Sequence, residues 1–218
     1  MKIELIPPVI KNQFKNLLTP LIRVLVRLKL NPNWLTTCSF FVSIFAAIAF
    51  GRGELVRGAV LLLLTGFLDM LDGAVARASN RVTKFGALYD STLDRYAEIM
   101  VFFGIAYYFV NETSHGAEYG LLVSMIVFVG IAGSLMVSYV RARAEGLGLE
   151  CRVGLMQRPE RLIAISIGAL VSDAWLVGAL LLIAVFANFT AIQRIVYIWL
   201  AENADKWKKL PADTDHDV

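Results

Sequence analysis

Four aspartates stand where an apolar chain would be expected to have none. Asp69 and Asp72 close a hydrophobic run that begins at Gly58, and Asp90 and Asp94 open the next apolar stretch. Burying an ionised carboxylate in a bilayer core costs about 2.5–3.5 kcal/mol even on lenient insertion scales, so four are retained only if something compensates them. Helical geometry makes them converge. At about 100° per residue, positions 69, 72, 73 and 76 share one face, and so do positions 90 and 94. Two facing helices would present all four carboxylates to one cavity. Crowded like charges hold protons or attract cations, and a set of hard oxygen donors suits Mg²⁺ or Mn²⁺. No His or Cys lies beside them, which argues against zinc. Gly73 and Ala76 on the same face allow either close helix packing or room for a bulky ligand, and Arg77 can reach phosphate oxygens.

The elements that must position these groups are membrane helices. Of 218 residues, 57% are hydrophobic and 18% charged, with a mean hydropathy of +0.63, outside the range of soluble domains. Stretches of about 20 apolar residues are long enough to span. Six spans are expected, at 34–51, 56–78, 84–110, 119–142, 160–173 and 174–199, the last two divided at Ser172-Asp173, with five spans and one long broken helix as the alternative. Eighteen of the 21 Lys and Arg fall on one side of them, which predicts cytoplasmic termini. The fold class is therefore all-α integral membrane. A cytoplasmic N-terminal segment, 1–33, precedes a membrane domain, 34–200, and a charged cytoplasmic tail, 201–218. In the first segment Ile10, Phe14, Leu17, Leu18, Leu21, Leu25 and Leu28 recur at helical spacing apart from Lys11, Lys15, Arg23 and Arg27, the pattern of an amphipathic helix in the headgroup layer. No cleavable leader is expected. Cys38 and Cys151 lie in no ligand spacing and are assigned to packing, and His115 and His216 carry no signal.

Basic residues also gather near the membrane surface in Arg141, Arg143, Arg152, Arg158 and Arg161. They serve either as a topology signal that meets anionic headgroups or as a binding site. Because Arg158-Pro159-Glu160-Arg161 enters a span, two of these arginines would face a cavity, and with Arg141 and Arg194 they form an expected oxyanion pocket. Guanidinium forks match a phosphate monoester. That reading favours a ligand carrying its own phosphate monoester. A transporter with ion-binding aspartates is a distant alternative, and it would require inverted repeats or broken helices that the sequence does not display.

Written out, Asp69-x2-Asp72-Gly73-x2-Ala76-Arg77-x8-Gly86-x3-Asp90-x3-Asp94 resembles the signature of the CDP-alcohol phosphotransferases at every fixed position. The segments from Ser138 to Gly148 and from Gly154 to Arg161 are similar to the matching region of the actinobacterial phosphatidylinositol-phosphate synthases, as are Leu18-Thr19-Pro20 and Gln193-Arg194. Arg141 replaces the lysine usual in that subgroup, and Gln157 replaces a glutamate. The resemblance implies a six-helix fold, a homodimer and an active site open to the cytoplasm of the cell membrane. It implies that Asp69, Asp72, Asp90 and Asp94 hold two divalent metals, with Asp94 also acting as base. Asp69, Gly73, Arg77 and Thr83 would contact the cytidine nucleotide. CDP-diacylglycerol and a phosphorylated alcohol are the implied partners, attack falls at the β-phosphorus, and only the subgroup likeness separates inositol phosphate from glycerol 3-phosphate. No nucleic acid partner is expected.

Overall fold

The computed structural model describes residues 8–112, 116–151 and 153–209, and helix is the regular secondary structure among the described residues. Residues 1–7, His115, Arg152 and the tail beyond Lys209, with His216, lie outside the described residues, as do the side chains of Ile10, Lys11, Phe14, Lys15 and Leu17. Seven helices follow one another among the described residues: α1 (Pro8–Arg27), α2 (Pro32–Gly51), α3 (Leu55–Ala78), α4 (Lys84–Asn111), α5 (Ala117–Gly146), α6 (Arg158–Val171) and α7 (Asp173–Lys209). Helix α7 continues past the expected end of the last span, through the first residues of the segment read as a tail.

Local chemistry sets the boundaries. Pro32 stands in the first turn of α2, where no amide bond is lost, and the Asn31 side chain caps that helix by accepting from the Asn33 amide at 3.1 Å. Gly53, with φ of 75°, turns the chain between α2 and α3 in a conformation that favours glycine. Thr83 caps α4 by accepting from the Gly86 amide at 2.9 Å. At Ser172 the backbone is extended, and α6 and α7 divide at the expected place.

The six helices after α1 form a ring in the order α2, α4, α5, α7, α6, α3, and α1 rests on α3. Phe50, Phe102, Ile105, Leu180 and Ile183 are fully buried inside it. Small residues bring backbones together: a Cβ at Gly104 would lie 2.1 Å from the Ala47 carbonyl oxygen, so α2 and α4 meet with nothing between them. The outside of the ring is apolar as well. Phe45, Phe103, Phe128 and Phe189 project outward from four helices, Phe128 with 73% of its surface exposed. Such a continuous apolar exterior suits hydrocarbon rather than water.

Four helices, α2, α3, α5 and α7, are both long and apolar enough to cross a bilayer. The other two expected spans depart from that standard for identifiable reasons. Helix α4 has 28 residues, ample length, but the part up to its middle carries Asp90, Asp94, Arg95 and Glu98. Helix α6 has 14 residues, about 21 Å against a hydrocarbon thickness of about 30 Å. Both are helices that bring polar residues to one end of the ring.

Candidate active site

Helices α2 and α3 run antiparallel, and their register delivers the first two carboxylates. Thr36 Oγ1 donates to Asp72 Oδ2 at 2.6 Å, and Ser39 Oγ donates to Asp69 Oδ1. Three residues forward on α2 answer three residues back on α3, so one face of α2 supplies a hydroxyl to each acid. Asp72 is buried at 4% exposure. With its oxygen bonded, the carboxylate is fixed in direction as well as compensated. Neither hydroxyl was identified from the sequence. The available signal was the spacing of Thr36 and Ser39, which matches that of the acids they serve, within a span that also carries Thr37 and Ser43.

The second pair comes from α4, and α6 meets it. Arg158, the first residue of α6, places Nη1 2.5 Å from Asp69 Oδ2 and 2.6 Å from Asp94 Oδ1. One guanidinium nitrogen thus joins carboxylates of α3 and α4. One turn further along α6, Arg161 meets Glu98 through Nε and Nη2, at 2.6 and 2.9 Å, and its Nη1 donates to the Met156 carbonyl at 3.1 Å. Arg95 Nη1 is 3.9 Å from Asp94 Oδ2.

Several cavities share these acids. A cavity of about 270 Å³ is lined by Thr36, Asp72, Gly73, Arg77, Thr83 and Asp90. It gathers three of the four residues expected to meet a nucleotide. Asp69, the fourth, lines instead a cavity of about 600 Å³ with Asp90, Asp94 and Arg158 at one end and Leu63, Phe67 and Leu162 along its walls. Within the first cavity the Arg77 guanidinium lies over Gly73, where a Cβ would stand 3.2 Å from Nη1. Thr83 is there, but its oxygen also serves as the helix cap.

A third cavity, of about 200 Å³, is lined by Asp94 and by Arg141, Arg158, Arg161 and Arg194. All four arginines expected to hold a phosphate therefore reach one space, beside the fourth aspartate. Their donors are not equally free. Those of Arg161 are taken by Glu98 and Met156, and Arg194 donates to the Val153 carbonyl at 2.7 Å and to the Val137 carbonyl. Arg141 Nε donates to Glu145 at 2.8 Å from an exposed position. Arg158 keeps a buried Nε with no partner.

The donor chemistry fits a hard divalent cation, four carboxylates without sulfur or imidazole, and positive charge is already drawn to the gap between Asp69 and Asp94 in the form of Arg158. The cage is not preformed: among the described residues no three acidic, His or Cys side chains close on one point as tightly as a bound ion requires. Arg158 occupies the gap through which they would close.

A family model described as CDP-alcohol phosphatidyltransferase matches residues 29–202. An archaetidylinositol phosphate synthase from Methanothermobacter thermautotrophicus is 39% identical over 201 residues, 88% of this chain and 97% of that protein. A phosphatidylinositol phosphate synthase from Mycobacterium bovis is 33% identical over 210 residues, 93% of this chain and 94% of that protein. Among solved structures, the Mycobacterium tuberculosis phosphatidylinositol phosphate synthase with CDP-DAG bound superposes with a TM-score of 0.74 at 31% identity, covering 92% of this chain and 98% of that one. The same enzyme in complex with manganese and citrate gives 0.75 at 31% identity, covering 92% and 93%.

Proposed function

Because this chain belongs to the CDP-alcohol phosphatidyltransferase family, we propose that it moves the phosphatidyl group of CDP-diacylglycerol onto a hydroxyl of inositol phosphate, giving phosphatidylinositol phosphate and CMP. The observation that carries this reading is the cavity where Asp94 meets Arg141, Arg158, Arg161 and Arg194, with Arg95 and Glu98 on the same lining. It sets a carboxylate able to take a hydroxyl proton beside guanidinium groups suited to a phosphate monoester. The relatives named above are synthases of archaetidylinositol phosphate and of phosphatidylinositol phosphate, so the inositol phosphate part is what their products share.

In this mechanism the cytidine diphosphate enters the cavity beside Gly73, and the Arg77 guanidinium, which the missing side chain lets lie over Gly73, donates to its phosphate oxygens. Asp69, Asp72, Asp90 and Asp94 would hold a pair of divalent cations, Mg²⁺ or Mn²⁺, whose chemistry is to neutralise the diphosphate, polarise the β-phosphorus and stabilise departing CMP. Thr36 and Ser39 keep Asp72 and Asp69 aimed. Asp94 takes the proton from the acceptor hydroxyl as its oxygen attacks the β-phosphorus. The bond from that phosphorus to the CMP oxygen breaks, and CMP leaves with the electron pair. Arg141, with the arginines lining the same cavity, positions the acceptor through its phosphate.

The membrane setting follows the same reading. It takes α2 to α7 as six spans, puts both termini and the active site on the cytoplasmic side of the cell membrane, and bounds the catalytic domain at 34 and 200. Exposed Arg23, Arg27 and Lys29 beside exposed Val24 and Leu28 support a headgroup-layer position for α1. A homodimer is the proposed assembly. The deciding experiment is CMP release from CDP-diacylglycerol with Mg²⁺ and inositol 1-phosphate, glycerol 3-phosphate or free inositol, with CDP-archaeol as a second donor. Release with inositol 1-phosphate above the other acceptors is expected. A preference for free inositol, or no CMP with any acceptor, rejects the assignment.

A further inference from the structure

We infer that Arg158 is an exchangeable cation: it rests on Asp69 and Asp94 until a divalent metal takes those oxygens, and it then turns its guanidinium into the adjoining cavity to receive the acceptor's phosphate. The inference rests on the metal-dependent transfer proposed above and adds an order and a linkage to it.

The first support is mutual exclusion. Nη1 of Arg158 lies 2.5 and 2.6 Å from one oxygen of each carboxylate. A Mg²⁺ bound by those oxygens at about 2.0–2.1 Å would lie almost where that nitrogen lies. Two cations do not share that position, so metal loading and this placement of Arg158 are alternatives. The absence of a preformed three-acid cage among the described residues agrees with a guanidinium standing in the gap.

The second support is how Arg158 is held. It is the first residue of α6, where the positive end of the helix disfavours a cation, and its Nε is buried without a partner. The two carboxylates are what keep the guanidinium there, and they are the groups a metal would engage.

The third support is the destination. Arg158 and Asp94 line both the cavity between α3 and α6 and the arginine-rich cavity of about 200 Å³. Arg161 and Arg194 have committed donors to Glu98 and to backbone carbonyls. Arg158 has an open donor and partners that a metal would replace. A phosphate in the second cavity satisfies it. Metal and acceptor then strengthen each other's binding, by the same factor in both directions.

The test is Mn²⁺ affinity, read by electron paramagnetic resonance on the detergent-solubilised full chain, with and without inositol 1-phosphate. Without acceptor, Arg158→Gln is expected to bind Mn²⁺ at least about fivefold more tightly than wild type, and Arg158→Lys to stay near wild type. In the wild type, inositol 1-phosphate should tighten Mn²⁺ binding by about five- to 150-fold, and in Arg158→Gln that factor should fall towards one. Weaker Mn²⁺ binding in Arg158→Gln would mean that the arginine merely supports the acids, and unchanged binding that it merely meets the acceptor. Either result overturns the exchange. Should Arg158→Gln fail to fold, the wild type decides, since Mn²⁺ affinity indifferent to inositol 1-phosphate also overturns it. Failure of the transfer reading has a separate signature, the lack of CMP release from CDP-diacylglycerol whatever the Mn²⁺ data give.

Discussion

Glu98 of α4 and Arg161 of α6 form a two-pronged ion pair inside the ring, Nε to Oε1 at 2.6 Å and Nη2 to Oε2 at 2.9 Å, with side chains 7% and 2% exposed. The two helices make few other contacts with each other, since α6 packs chiefly on α3 and α7. This pair therefore ties the start of α6, and Arg158 with it, to the helix that carries Asp90 and Asp94. Removing one partner leaves the other charge buried and unpaired, at a cost of about 3–5 kcal/mol. Glu98→Gln and Arg161→Met should each lower the unfolding temperature markedly in detergent. The double variant should recover much of the loss, because replacing both charges removes the uncompensated one. A double variant no better than either single one would show that the pair has another role.

This pair also marks where sequence reasoning stopped. Hydropathy and helical spacing located α2 to α6 within a few residues, missed only the far end of α7, and placed Asp69, Asp72, Asp90 and Asp94 at one end, since apolar length and period are local properties of a chain. The spacing of Arg158 and Arg161 showed that both enter a helix but gave no indication that one would face Glu98 and the other Asp69 and Asp94. That depends on the ring order, in which α6 lies beside α3 and α7. For the same reason Thr36 and Ser39 passed unnoticed: their partners are more than twenty residues away, and only the α2–α3 register joins them.

Those two hydroxyls lead to the second prediction. Thr36→Val keeps the shape of the side chain and removes the bond to Asp72, and Ser39→Ala removes the bond to Asp69. Partners that orient metal-binding carboxylates are worth about 10- to 100-fold in metal affinity. The Mg²⁺ concentration for half-maximal CMP release should rise by that order in each variant. Maximal rate at saturating Mg²⁺ should fall much less. An unchanged Mg²⁺ dependence would mean that the hydroxyls serve only helix packing.

Gly73 supplies a third test. A Cβ there would lie 3.2 Å from Arg77 Nη1 and project into the cavity lined by Asp72, Arg77 and Asp90. Gly73→Ala should displace the guanidinium and raise KM for the CDP-lipid, with kcat/KM for that substrate falling about 10- to 100-fold. KM for inositol phosphate should stay close to wild type, because the arginine-lined cavity does not include Gly73. Equal losses for both substrates would show that the two cavities are not divided as proposed.

Asp94 lies at the junction of the cavities, touching both the space beside Asp69 and the arginine-lined space. As the proposed base it is needed for the proton of the attacking hydroxyl and not for nucleotide recognition. General-base loss costs about 10²- to 10⁴-fold in rate. Asp94→Asn should therefore reduce single-turnover CMP formation by that factor while CDP-lipid still binds, measured as retention of a labelled CDP-lipid by the purified chain. A near-normal rate in Asp94→Asn would remove the assignment.

The last prediction separates arginines that bind from arginines that brace. Arg141 is exposed, and its ion pair with Glu145 on the same helix is a surface pair worth at most about 1 kcal/mol, so losing it barely affects the fold. It lines the same cavity as Asp94, where a phosphate would draw it from Glu145. Arg141→Ala should therefore raise KM for inositol phosphate at least about tenfold, leave KM for the CDP-lipid unchanged and shift the unfolding temperature little. Arg141→Lys keeps the charge but gives up the fork, and should recover part of the affinity. Arg194 behaves differently because its donors hold the Val137 and Val153 carbonyls at 2% exposure. Its replacement by Lys should lower the unfolding temperature before it changes any KM. If Arg141→Ala unfolded like the Arg194 variant while acceptor KM stayed constant, the phosphate would have to be held by other residues.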